Sequence, residues 1–318
     1  MYLQLCSSKY IRTVMKYKSS VIIGLLLAVI IIISCKTHFE TTKSDYKAVA
    51  SAANFEHGKN LVFSVCAGCH YNRGVKKFIG NPIHDVPGIA GKVYSANLTH
   101  SKTNGIAPKY TDAQLKYLLK TGISKDGRFM AYMLRPNMAD EDINDIIVYL
   151  RSDDPAVSAA DTTVGLTHYS LFGKTYLGFK ANPAPYKDGI KRPAENDQVA
   201  LGRYLVDNVG CYHCHSKSLK SLNSINPEQT KGYLAGGATF KGAQGVEITA
   251  SNITPDKNSG IGSYSKEDFR KAVKDGQSPT RKLKPPMEKF EYLSDKEVDA
   301  IYAYLMTVPA KYHVVKHL

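Results

Sequence analysis

Acidic residues are in short supply in this chain of 318: 28 Asp and Glu face 42 Lys and Arg, a formal net charge of +14. That sign favours an acidic partner or an anionic membrane surface. Nucleic acid is the poorer fit, because the lysines are scattered and no basic stripe with interleaved aromatics occurs. Tryptophan is absent, which decides nothing by itself. Long apolar runs are absent too: Val21–Ile33 is well short of the roughly 20 residues that span a bilayer. Cysteine is scarce, with six in the whole chain, so how those six are placed carries most of the information.

Four of them fall in two identical arrangements. "SVCAGCH" holds Cys66, Cys69 and His70, and "GCYHCH" holds Cys211, Cys214 and His215. A zinc ribbon needs its two Cys pairs roughly 15 to 20 residues apart so that four thiolates can meet on one metal, and these pairs lie far beyond that span. A thioredoxin-like pair belongs with a βαβ pattern and needs no histidine after the second cysteine. Covalent haem attachment uses every position: both thiols add to haem vinyl groups and the adjacent histidine reaches the iron. The sequence therefore predicts two covalently bound haem c groups, held by Cys66, Cys69, Cys211 and Cys214, with His70 and His215 as iron ligands.

The N-terminus bears on where such chemistry happens. Val21–Ile33 has the length of a secretory apolar region, preceded by lysines and followed at once by Ser34 and Cys35. "IISC" resembles a bacterial lipoprotein cleavage site, with Cys35 as the acylated first residue of the mature chain. "MKYKSS" makes Met15 a candidate true start, which would leave Cys6 outside the protein. No thiol then remains for a disulfide or a nucleophile. The expected address is the cell envelope, lipid-anchored, on the periplasmic face of the inner membrane or on the outer membrane.

The chain repeats itself. "GKNLVFSVCAGCH" matches "GRYLVDNVGCYHCH", and "ANLTHSKTNGIAPKYTDAQLKYLLKTGIS" matches "SNITPDKNSGIGSYSKEDFRKAVKDGQS". Each copy closes on a Tyr-Leu helix, "MADEDINDIIVYLRS" or "LSDKEVDAIYAYLMT". The periodicities predict helices: Leu115, Leu118 and Leu119 on one face, stopped by Gly122, and Phe269, Ala272 and Val273 in the other copy, capped by Ser265 and stopped by Gly276. Little β structure is expected. The division is a signal over 1–35, a tether over 36–54, repeats over 55–153 and 195–318, and a connecting segment over 154–194. That segment carries Tyr169, Phe172, Tyr176, Phe179 and Tyr186, too aromatic for a solvated spacer, and is expected to wrap across both repeats.

A methionine thioether on the far side of the iron raises a haem potential, and a second histidine gives a lower one. Met287 stands alone before the last helix of the second repeat. In the first, Met130, Met133 and Met138 are available. Met138 occupies the place of Leu293 and reads as core, while the intervals from Tyr110 to Met133 and from Tyr264 to Met287 are equal. His57, His84, His100, His168, His313 and His317 read as surface or packing residues.

"SNITPDKNSGIGSYSKEDF", the "GRYLVDNVGCYHCH" start and the "PPM…LSDKEVDAIYAYL" exit resemble the multihaem cytochrome c subunits of membrane-bound bacterial dehydrogenases of the alcohol and gluconate type. The resemblance covers about 55–153 and 195–310. It implies an all-α chain of two tandem class I cytochrome c-like domains. It implies Met130 as the first repeat's ligand, with Met133 as backup, because Met130 stands eight residues before Met138 in a Met-Ala-Tyr stretch. It also implies that the Pro82 and Pro227 carbonyls orient the rings of His70 and His215. "SKS" at 216–218 replaces the family's usual Thr-Pro-Arg. The function implied is electron transfer between a dehydrogenase or quinol oxidant and a terminal acceptor, with redox partners offering acidic docking surfaces. The alternative is a di-haem peroxidase or other haem oxidoreductase with one substrate-accessible iron, so whether the chain is itself an enzyme stays open at this point.

Overall fold

The computed structural model describes residues 18, 20–27, 38–84, 86, 88–162, 164–241 and 247–315. Cys6 and Cys35, with the proposed cleavage site, lie outside the described residues, as does His317. Among the described residues no helix is long and apolar enough to cross a membrane.

Two hydrophobic cores form, one in each half. The first begins with α1, Ala52–Leu61, whose cap Ser51 accepts from the Asn54 N–H. A π-helical turn, Val62–Cys66, and the short α2, Ala67–His70, carry the first cysteine motif. Helix α3, Asp112–Thr121, starts at a Thr111/Gln114 capping box and stops at Gly122 with φ 76°, a left-handed turn that glycine adopts without strain. Helix α4, Asp140–Leu150, completes the half. Its acidic first turn, Asp140, Glu141 and Asp142, complements the helix dipole, and Ala139 occupies the cap position without a side-chain bond.

The second half repeats this order. Helix α6, Gln198–Leu205, capped by Asp197, runs through a π turn, Val206–Gly210, into α7, Cys211–Cys214. Helix α8, Lys266–Arg270, begins at a Ser265/Asp268 capping box and continues as a π turn to Gly276, φ 73°. Helix α9, Asp295–Leu305, starts at a Ser294/Glu297 box. Between the halves stands α5, Leu171–Lys180. Among the described residues the strands form two antiparallel pairs, β1 Gly91–Lys92 with β2 His168–Tyr169, and β3 Thr239–Lys241 with β4 Glu247–Thr249.

The same joint organises both cores. Helix α1 crosses α4 at Gly58, where a Cβ would overlap the Asp145 carbonyl, and α6 crosses α9 at Gly202, where it would overlap the Ala300 carbonyl. Glycine lets the helix backbones touch, and Leu61, Ile143, Ile147 and Tyr149 fill the first core as Leu205, Val298, Ile301 and Tyr304 fill the second.

Two expectations change. Residues 154–162 belong to the first half, since Val157 is core and the Ala156 and Val157 carbonyls accept from the Phe78 and His100 N–H groups. The connecting segment does not pack its aromatics across the halves either. Phe172, Tyr176 and Phe179 are exposed on α5, whose Gly173 lies against Ala90, and Tyr186 stacks on Tyr117 of the first half at 5.6 Å. From this segment Arg192 bridges the halves, pairing with Asp142 at 2.8 Å and with Glu297 at 2.7 Å.

Candidate haem sites

Each motif is presented by the same local geometry. The π turn at the end of α1 or α6 adds a residue to the helix, and the Cys-x-x-Cys-His stretch forms the next helical turn. His70 is buried and His215 half-buried. His70 Nδ1 lies 2.8 Å from the Ala96 carbonyl, and His215 Nδ1 lies 2.8 Å from the Ser251 carbonyl. A carbonyl can only accept, so Nδ1 carries the proton in both rings and Nε2 keeps its lone pair. Burial pushes both histidines down from their ordinary value, against the backbone bond that raises them. The rings are held neutral and aimed, which is what a metal-ligating imidazole requires.

The acceptors are not Pro82 and Pro227. The equal intervals from His70 to Pro82 and from His215 to Pro227 are coincidental, because the second half carries extra chain between its histidine and its acceptor. Structural equivalence instead pairs Gly80 with Gly236, whose N–H groups bond the His70 and His215 carbonyls at 2.9 and 2.7 Å. It then pairs Ala96-Asn97-Leu98-Thr99 with Ser251-Asn252-Ile253-Thr254. The Asn97 and Asn252 side chains each accept from the N–H two residues on, at 2.8 and 2.9 Å. Pro227 opens a 3₁₀ turn within the extra chain.

The cysteines make no disulfide among the described residues. Burial pushes the Cys66 and Cys211 thiols up to about 12, so neither is the low-pKa thiolate of a redox pair. Nor do the described residues gather three His, Cys, Asp or Glu around a metal-sized point, so the zinc reading fails on geometry as well as spacing. In each motif a buried-side thiol, Cys66 or Cys211, and a second thiol, Cys69 or Cys214, beside a neutral imidazole fit haem c.

The methionine loops share their turns. The Met130 N–H bonds the Gly122 carbonyl at 2.7 Å, as the Leu283 N–H bonds that of Gly276 at 2.7 Å. The Met133 N–H closes a turn on the Met130 carbonyl at 2.9 Å, as the Met287 N–H does on the Lys284 carbonyl at 3.1 Å. Met130 therefore stands where the other half has the Leu283-Lys284 pair, and is 38% exposed. Met133 stands where the other half has Met287 and packs against the first core. Met138 is core, as expected.

The motifs face each other. The two π turns touch, and each half's methionine loop lies on the other half. Arg135 Nε donates to the Asn208 carbonyl at 3.0 Å, Asn137 Nδ2 donates to Ile225 O at 3.1 Å, and Tyr292 stacks on Phe63 at 4.2 Å. Tyr204 donates to Asp142 at 2.6 Å while accepting from the Ala139 N–H. Arg135 is a half-buried cation acting on Cys66, Cys69 and Tyr212. His213, inside the second motif, is pushed down to about 3 by burial and then by Arg135. Arg281 Nη2 donates to Ser251 Oγ at 2.9 Å, on the residue that orients His215. Sequence reasoning passed over Arg135, His213 and Arg281. Only His213 carried a signal, its place between the two cysteines.

Three of the other histidines are engaged elsewhere. His57 pairs with Asp145 at 2.8 Å, His100 Nε2 bonds Leu150 O at 2.8 Å, and His313 Nδ1 bonds Ala235 O at 2.7 Å.

Residues 55–153 match the cytochrome c family. That stretch is a cytochrome c domain. The chain is 30% identical over 279 residues to the fructose dehydrogenase cytochrome subunit of Gluconobacter japonicus, covering 83% of this chain and 54% of that protein. To the gluconate 2-dehydrogenase cytochrome c subunit of Pantoea cypripedii it is 26% identical over 260 residues, 77% of this chain and 57% of the relative. The cytochrome c subunit of the quinone alcohol dehydrogenase of Gluconobacter oxydans is 32% identical over 116 residues, 36% of this chain and 22% of the relative. The chain thus resembles the cytochrome c subunits of membrane-bound bacterial dehydrogenases and spans about half the length of the first two.

Proposed function

We propose that this chain is a two-haem electron carrier that accepts electrons from a dehydrogenase or quinol-oxidising protein and delivers them to a terminal acceptor. It would do so from the cell envelope, with a lipid on Cys35 as its anchor and acidic surfaces on its partners complementing its positive charge. Two tandem class I cytochrome c-like domains make up the chain in this reading. The observation that carries it is the repetition of one site: a neutral histidine held at Nδ1 by the equivalent backbone carbonyl, directly after two cysteines, with a methionine turn in the same relative place.

Haem c bound at each motif would supply reversible one-electron chemistry at iron. Cys66 and Cys69, and Cys211 and Cys214, would hold each group through thioether bonds. His70 and His215 would offer Nε2 to the iron, with their rings held by Ala96 and Ser251. Met133 and Met287 would offer their thioether sulfurs, Met133 taking precedence over Met130 because of its turn and its packing. The contact between the π turns, beside the Phe63–Tyr292 stack, supports a short path between the motifs. Arg135 and Arg281 place cations near the sites, where haem carboxylates need compensation.

The peroxidase reading draws no support from the structure, since His57, His100 and His313 are tied to other groups. Intact mass of the exported protein tests the two-haem count. Two haem adducts are expected, one lost in Cys66→Ala/Cys69→Ala and the other in Cys211→Ala/Cys214→Ala. A single adduct in the unmutated protein would contradict it.

A further inference from the structure

Helix α5 is oddly placed for a water-facing element. Its N-terminus is fixed: the Ser170 N–H bonds the Ala90 carbonyl at 3.0 Å, Ser170 Oγ bonds Ile89 O at 2.6 Å, and Gly173 lies against the Ala90 backbone. Beyond that attachment the helix projects. Phe172, Tyr176 and Phe179 fall at i, i+4 and i+7 on one face, and Phe172 and Phe179 are 54% and 70% exposed. Leu171 at its start is 81% exposed, and Ile89, on the supporting turn, is exposed too. Lys174 lies on the side away from the aromatic face, and Lys180 flanks it, its ammonium over the Phe179 ring at 6.0 Å.

Charge narrows the choice of what covers this face. Between Asp161 and Asp188 the chain has no acid, while it carries Lys174, Lys180 and Lys187. An amphipathic helix with aromatics on one side, lysines beside them and no acids is the composition of a helix lying in a membrane interface. Lysine stems can bury while their ammonium groups reach anionic headgroups.

The chain leading from Cys35 points to the same place. Three residues beyond Cys35 in sequence, His38 and Phe39 dock against Gly127, with the Phe39 N–H on the Gly127 carbonyl at 2.8 Å. Arg128, the next residue, lies within electrostatic reach of Tyr169, directly ahead of α5. Phe39 and the residue ahead of α5 are thus both neighbours of the Gly127-Arg128 turn.

We infer that α5 is an interfacial helix, inserting Phe172, Tyr176 and Phe179 into the headgroup region of an anionic phospholipid bilayer. The inference rests in part on the reading of Cys35 as the lipidated residue, and its test separates the two. Hydrogen exchange is followed across 171–180 in the haem-loaded full chain, with and without vesicles of phosphatidylglycerol and phosphatidylethanolamine. Slowing of about tenfold is expected on vesicles and not on phosphatidylcholine alone, and is expected to disappear in Phe172→Ser/Phe179→Ser. These side chains are exposed, so that variant keeps its fold, checked by unchanged exchange in α1 and α4. An unprotected α5 in protein bound to the vesicles overturns the proposal whatever the state of Cys35. Protection that survives the double substitution, or that arises only with an added dehydrogenase subunit, also overturns it. Intact mass reports acylation separately: protection of α5 in protein without an acyl group supports the helix while removing the anchor reading.

Discussion

The two halves share a frame and differ where they meet. In both, a glycine lets the first and last helices cross, a π turn delivers the cysteines, a backbone carbonyl holds the histidine, and a methionine follows the helix-stopping glycine. At the junction the likeness ends. Arg135 stands in the first half where Phe290 stands in the second, each taking its N–H bond from the preceding helix at Leu119 or Val273. Phe63 on the first π turn answers to Asp207 on the second. What repeats is what a haem site needs. What differs gives the two halves unequal electrostatics, since each side of the junction carries one aromatic and one ionisable residue but the first offers the cation Arg135 and the second the acid Asp207.

The largest expected effects come from breaking the shared frame. Gly58→Ala or Gly202→Ala drives a Cβ into the facing helix backbone, with an expected loss of about 3 kcal/mol in denaturant unfolding. If the halves are separate cores, each substitution lowers one unfolding transition more than the other; equal loss in both would mean that they unfold as one. Arg192→Ala tests the link between them. It leaves Asp142 buried without its cation, and an expected loss of about 2 kcal/mol sits below the fully buried-pair figure because Arg192 is partly solvated.

The junction's asymmetry predicts a pH effect confined to the second half. Burial lifts the Asp207 carboxyl to about 7, against Arg203. The fold therefore favours the protonated acid. Its contribution is complete below the ordinary carboxylate range and is lost as pH rises through about 7. Thermal unfolding is expected to move to lower temperature between pH 5 and 8, and Asp207→Asn to flatten that fall. A smaller effect belongs to Arg135→Gln. Removing one positive charge should lower the first half's haem potential by tens of millivolts, the scale of a unit charge about 10 Å away at an effective dielectric of about 20. An unchanged potential would limit Arg135 to packing.

Much of this was legible in sequence because it depends on local chemistry. The Cys-x-x-Cys-His pairs, the glycine stops and the apolar faces of α3, α4, α8 and α9 announce themselves. The histidine clamp did not, because Pro82 and Pro227 keep equal intervals only by accident of the extra chain that carries Pro227. Spacing counted back from Met138 favoured Met130, whereas the chain between the methionine and the last helix is one residue longer in the second half. Counting forward from Gly122 and Gly276 pairs Met133 with Met287. The aromatics of α5 announced burial, but burial against what depends on surfaces that no periodicity encodes.

The central claim is that the halves hold equivalent haem sites with Met133 and Met287 as their sixth ligands. An optical redox titration of the haem-loaded protein and its methionine variants tests it most directly. Two high-potential transitions of similar amplitude are expected, one falling by a few hundred millivolts in Met133→Ala and the other in Met287→Ala, with Met130→Ala close to the unmutated protein. One high and one low transition in the unmutated protein, or a high transition lost in Met130→Ala and kept in Met133→Ala, would contradict it.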